Sequence, residues 1–224
     1  MAAGERKRAI VEAAMPLFAR KGYAETTTKD LAQAAGVSEP LLYKHFPSKE
    51  ALYHEIQAFI CHVSDPVAQK LAGLEPCTST LVHLVYFLTR ALVLGKPAGK
   101  IEWEIRHRLM LKSMLEDGVF ARLVYESRFA CYCARMEGCL KAAIGAGDAV
   151  KSPLTSGNGA RLGYHVGAWL ALAHLPRKPA IDYKVSREKL LEQSVWFILR
   201  GMGLTDQALA TYYNPRALAL FFES

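Results

Sequence analysis

The chain has 224 residues, 51% of them hydrophobic, which is enough to bury one large core or two smaller ones and excludes a disordered tail. Its net charge of +7 and pI near 9.2 suit an acidic partner. The charge is uneven: residues 1–60 hold eight Lys and Arg against seven Asp and Glu, and the rest holds twenty against fourteen. Basicity therefore marks no nucleic-acid site at the N-terminus, and any such claim must rest on pattern.

The five cysteines, Cys61, Cys77, Cys131, Cys133 and Cys139, are odd in number in a chain that needs no staples, which fits a reducing compartment. On a helix Cys131 and Cys133 point roughly 200° apart, so they do not converge on one metal ion, and buried free thiols are expected. The first apolar run is broken by Glu12, Pro16, Arg20 and Lys21, unlike a signal peptide. No run reaches the ~18 apolar residues of a membrane span. A soluble, cytoplasmic protein without a membrane partner is expected.

Taken in chain order, the elements are helices. Ile10, Ala13, Ala14, Leu17 and Phe18 form one apolar stripe at helical spacing, and Lys21-Gly22 supplies its stop. Pro16 lies inside this helix and removes the bond to the Glu12 carbonyl. Thr27 then reads as an N-cap with Asp30 three residues on, opening a short helix whose Leu31, Ala34 and Ala35 are expected to face inward. Gly36 ends it. Only Val37 intervenes before Ser38, a second N-cap, with Glu39 and Pro40 in the first turn, where a missing N–H costs nothing. Leu42 and Phe46, at i and i+4, anchor this second helix beside Val37. Pro47-Ser48 stops it and caps the next.

Beyond residue 48, helical periodicity recurs over 49–62, 79–94, 101–114, 117–144, 155–174, 186–202 and 205–222, separated by Gly- and Pro-rich punctuation. Strand alternation is almost absent. The predicted fold is all-α, with a domain boundary between residues 62 and 63.

Helix, Gly turn and helix within residues 27–46 is the helix-turn-helix spacing. The run FARKGYAETTTKDLAQAAGVSEPLLYKHFPSKEALY, residues 18–53, resembles the DNA-binding domain of the tetracycline-repressor (TetR) family of bacterial regulators. The resemblance is carried by Phe18, Lys21-Gly22-Tyr23, Thr27, Leu31-Ala32, Ala35-Gly36-Val37-Ser38, Leu42-Tyr43, His45-Phe46-Pro47-Ser48-Lys49 and Leu52. It implies an N-terminal three-helix DNA-binding domain, residues 1–62, and a larger helical domain, 63–224, for effector binding and dimerisation. It further implies that Thr27, Thr28, Tyr43 and Lys49 contact phosphates. Glu39, Pro40, Leu41, Lys44 and His45 would face the major groove, with Ser38 at its edge. Two readings stay open for Glu39, a complement to the helix dipole or an acceptor for a cytosine amine. His45 could instead pack on the first helix.

In the larger part, Gly159, Gly163, Gly167 and Ala171 form a ridge without side chains at i, i+4, i+8 and i+12. Each Gly costs about 1 kcal/mol against Ala, so close approach of another helix is expected. A dimer interface completed by Leu191, Val195 and Leu199 is favoured over an internal contact. Candidates for an effector pocket are Tyr86, Phe87, Tyr125, Phe129, Tyr132 and Trp169, with Trp103, Arg106 and His107 on one helical face. No nucleophile elbow, phosphate loop or His-Glu-x-x-His occurs, so neither catalytic, metal nor cofactor-binding residues are expected. The expected protein is a repressor that binds a palindromic DNA operator as a homodimer and is released by an unknown small molecule. A small all-α enzyme and a DNA-binding protein without an effector are the alternatives.

Overall fold

The structure, a computed structural model, describes residues 3–61, 71, 73–95 and 100–223. The expected boundary at residues 62 and 63 lies outside them. Among the described residues twelve α-helices are present and no sheet; one isolated bridge joins Ala149 to Leu204. In order they are α1 (Ala3–Lys21), α2 (Thr28–Ala34), α3 (Glu39–His45), α4 (Lys49–Cys61), α5 (Thr78–Val93), α6 (Lys100–Leu115), α7 (Val119–Val124), α8 (Ala130–Gly145), α9 (Ser156–Ala173), α10 (Arg187–Gly201), α11 (Asp206–Tyr212) and α12 (Pro215–Glu223).

Two compact units result. The first comprises Met1–Val63 with Ile101–Ser127, and the second Ser64–Lys100 with Arg128–Ser224. The N-terminal unit thus takes in α6 and α7, which a single cut along the chain assigns elsewhere. Periodicity marks these helices but not which core receives them, since an apolar stripe does not name its partner.

The core of the first unit holds Ile10, Ala14 and Phe18 of α1, Leu31 of α2, Leu42 of α3, Leu52 and Ile56 of α4, and Phe120 and Val124 of α7. The Phe18 ring lies 5.0 Å from that of Tyr53 and 6.1 Å from that of Tyr23. Helix α1 continues through Pro16, whose ring lies on the exposed side. Its end at Gly22 has φ +85, and a Cβ there would lie 3.0 Å from the Glu116 carboxylate, so both backbone and space favour glycine. In α2 the inward residues are Leu31 and Ala32, whereas Ala34 is exposed.

The second unit packs α5, α8, α9 and α10 around Leu81, Leu84, Val85, Cys139, Ala160, Val195 and Leu199. Two expected helices differ in form. The run 117–144 contains a π-helical turn at Tyr125–Phe129 between α7 and α8. The run 205–222 divides into α11 and α12, because Pro215 disfavours helical geometry at Asn214. Asn214 instead caps α12, its Oδ1 accepting from the Ala217 amide at 3.2 Å. Cys133 and Cys139 are buried as thiols, but Cys131, expected to be buried as well, is exposed, because two residues along α8 turn it to the opposite side from Cys133.

Candidate nucleic-acid interface

The site is built from two seven-residue helices that would not persist alone, so their ends are tied. At α2, Thr27 Oγ1 accepts from the Asp30 amide and Asp30 Oδ2 accepts from the Thr27 amide, each at 3.1 Å. This is a reciprocal capping box. Lys21 Nζ also donates to Asp30 Oδ2 at 2.9 Å. The Lys21 ammonium, followed by the Thr27 groups, holds the Asp30 carboxyl down at about 2. At α3, Ser38 Oγ accepts from the Leu41 amide at 3.3 Å, and Pro40 occupies the first turn. Gly36 makes the turn between them at φ +62.

Leu42 and Phe46 are 3% exposed, and this burial orients α3. Ser38, Pro40, Tyr43 and Lys44 are consequently exposed, and Glu39, Leu41 and His45 half-buried. A cation, two rings and short apolar groups on one surface match what phosphates, base edges and thymine methyls require. Lys29, exposed in the first turn of α2 beside Thr28, belongs to the same vicinity, although it is not among the residues expected there. Its signal in the sequence is its place one residue beyond two threonines at a helix start.

Three of the expected phosphate contacts carry other bonds, Thr27 in the capping box and Thr28 and Lys49 elsewhere. Thr28 donates its hydroxyl proton to Glu39 Oε2 at 3.0 Å, tying α2 to α3. Lys49 Nζ donates to the Tyr23 carbonyl at 2.9 Å and the Thr26 carbonyl at 3.0 Å, and sits 4.3 Å from the Tyr23 ring centroid. An ammonium has three donors, so one remains for a phosphate. Lys49 thus joins the end of α1 to the start of α4.

The expected pocket residues divide between the units. Trp103 and His107 are buried in the first, with ring centroids 4.4 Å apart. His107 Nδ1 bonds the Trp103 carbonyl at 2.7 Å, and desolvation lowers the imidazole to about 4. Arg106 and Tyr125, in the same unit, are half-buried. In the second unit Tyr86 is buried, Phe87 and Tyr132 lie 6.1 Å apart, and Phe129 and Tyr164 lie 4.4 Å apart. Trp169 is 64% exposed on the outside of α9. An internal gap of about 10 Å³ lies among Val85, Leu92, Met136, Gly163, Tyr164 and Ile198.

The residues expected at a dimer interface face inward within this chain. A Cβ on Gly163 would lie 2.7 Å from Ile198 Cγ2, and one on Gly167 2.8 Å from Leu92 Cδ1. Gly159 meets Leu140 and Met202 at ordinary distance. Ala171, Leu191, Val195 and Leu199 are at most 2% exposed. The ridge therefore admits the chain's own helices, an internal contact. Outside, α9 and α10 leave Leu162, Trp169, Trp196 and Phe197 exposed beside an open apolar cleft of about 660 Å³ lined by Val166, Tyr183, Tyr213 and Pro215 among others. Leu162 and Trp169 are two helical turns apart, a signal that the glycine pattern overshadowed.

Residues 10–56 match the family model for bacterial regulatory proteins of the tetR family. The HTH-type transcriptional regulator YerO of Bacillus subtilis (strain 168) is 46% identical over 48 residues, 21% of this chain and 17% of that protein. The HTH-type transcriptional repressor KstR2 of Rhodococcus jostii (strain RHA1) is 43% identical over 51 residues, 23% and 25% of the two chains. The matched segment thus spans a quarter or less of the length of these curated relatives. The fold extends the likeness: a gamma-butyrolactone receptor (ArpA-like protein) superposes with TM-score 0.63 and 22% identity over 100% of both chains. AibR, crystallised with isovaleryl coenzyme A and operator DNA, does so with TM-score 0.62 and 18% identity over 86% of this chain and 97% of that one.

Capped short helices, a glycine turn and a second helix anchored on one side define a helix-turn-helix protein of all-α fold. Together with the match over residues 10–56, they mark that segment as similar to the DNA-binding part of the tetR family of bacterial regulatory proteins.

Proposed function

We propose that this chain is a repressor that binds a two-fold duplex operator as a homodimer and is released by a small molecule. The observation that carries the proposal is the anchoring of α3 by Leu42 and Phe46, which leaves Tyr43 and Lys44 in solvent on a helix fixed at both ends. Such a surface suits the major groove, with free amides at the starts of α2 and α4 beside the phosphates.

Dimerisation would use the outer face of α9 and α10. Leu162, Trp169, Trp196 and Phe197 form an exposed apolar group, and large aromatic side chains of this kind supply the central anchors of protein interfaces. A two-fold partner would cover them and place two copies of α3 on successive grooves.

An effector of ordinary size needs roughly 300 Å³ or more, far beyond the 10 Å³ gap among Val85, Gly163 and Tyr164. Binding at that gap, rather than in the open outer cleft, would therefore require the helices of the second unit to part, favouring a form whose α3 spacing no longer fits DNA. Ligand and operator would then oppose each other reciprocally. The narrowness of that gap also favours the reading without an effector, which predicts no ligand-induced loss of operator affinity.

Selection of bound duplexes from a random pool tests the proposal. A two-fold consensus is expected, with an affinity that falls steeply as salt rises. Sedimentation should give a dimer, and the double variant Trp196→Glu, Phe197→Glu a folded monomer with weakened operator binding. Enrichment of no duplex, or a consensus without symmetry, would sink it.

A further inference from the structure

Glu39 occupies an unusual position for a carboxylate. It is the first residue of α3, half-buried, on the surface proposed to meet a polyanion. Its Oε2 accepts from the Thr28 hydroxyl at 3.0 Å across the turn. Among the described residues no Lys or Arg forms an ion pair with it, while Lys21 is held by Asp30 and Lys49 by the Tyr23 and Thr26 carbonyls. A carboxylate in that place weakens attraction to phosphates, so a duplex that binds well must offer it a donor.

Major-groove chemistry limits the donors to the amines of cytosine and adenine. Adenine N6 lies beside the N7 acceptor, which repels a second carboxylate oxygen, whereas the outer neighbour of cytosine N4 is a C–H. We infer that Glu39 is the residue through which this protein selects a cytosine in each operator half-site, with Thr28 as the residue that positions its carboxylate. This assignment rests on the DNA-binding proposal above and deepens it. The Thr28 hydroxyl proton is donated to Glu39, so that proton is not available to a phosphate.

The test is parallel duplex selection with the wild-type full-length chain and three variants, with thermal unfolding of each as a check on folding. Wild type should enrich cytosine at one position per half-site. Glu39→Gln keeps an acceptor for Thr28 but adds a donor, and should move that position to adenine, changing the ratio of affinities for the two duplexes on the order of tenfold. Glu39→Ala should leave the position without preference. Thr28→Val keeps the charge but frees the carboxylate, and should reduce the cytosine preference without changing the preferred base. If wild type and Glu39→Gln enrich the same base at every position, the assignment is overturned and Glu39 merely ties two helices. If wild type enriches no duplex, the DNA-binding proposal falls and this assignment falls with it.

Discussion

The two units are stabilised by different means. In the first, α2 and α3 have seven residues each and rely on directional bonds at their ends: the Thr27–Asp30 box, the Ser38 cap, the Thr28–Glu39 tie and the Lys49 ammonium on two carbonyls. A few large side chains, led by Phe18, do the burying. In the second, helices of up to eighteen residues close on one another through small residues facing large ones, as Gly163 faces Ile198 and Gly167 faces Leu92. Polar end-ties consume little side-chain surface and leave the outside of α3 bare. Close apolar packing consumes whole faces. A surface meant to be read is therefore better mounted in the first way, and a scaffold better built in the second.

Removing the main buried ring of the first unit should disturb that contrast most. Phe18→Ala should lower the stability of the first unit by about 3–5 kcal/mol in urea unfolding, because a fully buried ring leaves a cavity beneath Tyr23 and Tyr53. A loss below about 1 kcal/mol would mean that the polar ties alone suffice.

His107 supplies the next effect, through pH. The folded chain protonates it only near 4, while the unfolded chain does so near 6.5. Between those values the unfolded state binds more protons, so the contribution is full above pH 6.5 and is lost as pH falls toward about 4. Its size is about 3 kcal/mol. His107→Leu should flatten the stability profile over that window in denaturant titrations at several pH values, and an unchanged slope would contradict it.

In the second unit, Gly163→Ala should cost about 1–3 kcal/mol, since the new methyl would meet Ile198 Cγ2, a branch methyl with little freedom to move. The double variant with Ile198→Ala should recover part of the loss, and purely additive effects would show that the ridge is not a close contact. The smallest effect belongs to the caps: Thr27→Ala should cost about 1 kcal/mol, seen in urea unfolding of the first unit. Equal responses of the two units to cap removal would erase the distinction.

Much of the first unit was legible because its determinants are local. A threonine followed three residues later by an aspartate, a lone glycine and then Ser-Glu-Pro specify caps and a turn within reach of a few bonds, and the fold forms them at those residues. The ladder of Leu42 and Phe46 likewise names its own inner face by helical spacing alone. Lys49 shows the limit of such reading: a lysine beside a cap suggests a phosphate, but carbonyls 23 and 26 residues away receive its ammonium. Only the fold brings them there. The glycine ridge was legible as a demand for close approach, whereas the identity of the approaching helix was not. Periodicity states that a face must be buried and carries no record of what buries it. The chain's own Ile198 and Leu92 fill that role, leaving Trp169, Trp196 and Phe197 outside. Local chemistry thus determined the helices, their caps and the outward face of α3, because hydrogen bonds and side-chain spacing act over a few residues. The tertiary structure decided which core each helix joined and which apolar groups remained exposed, because packing is settled between segments far apart in the chain.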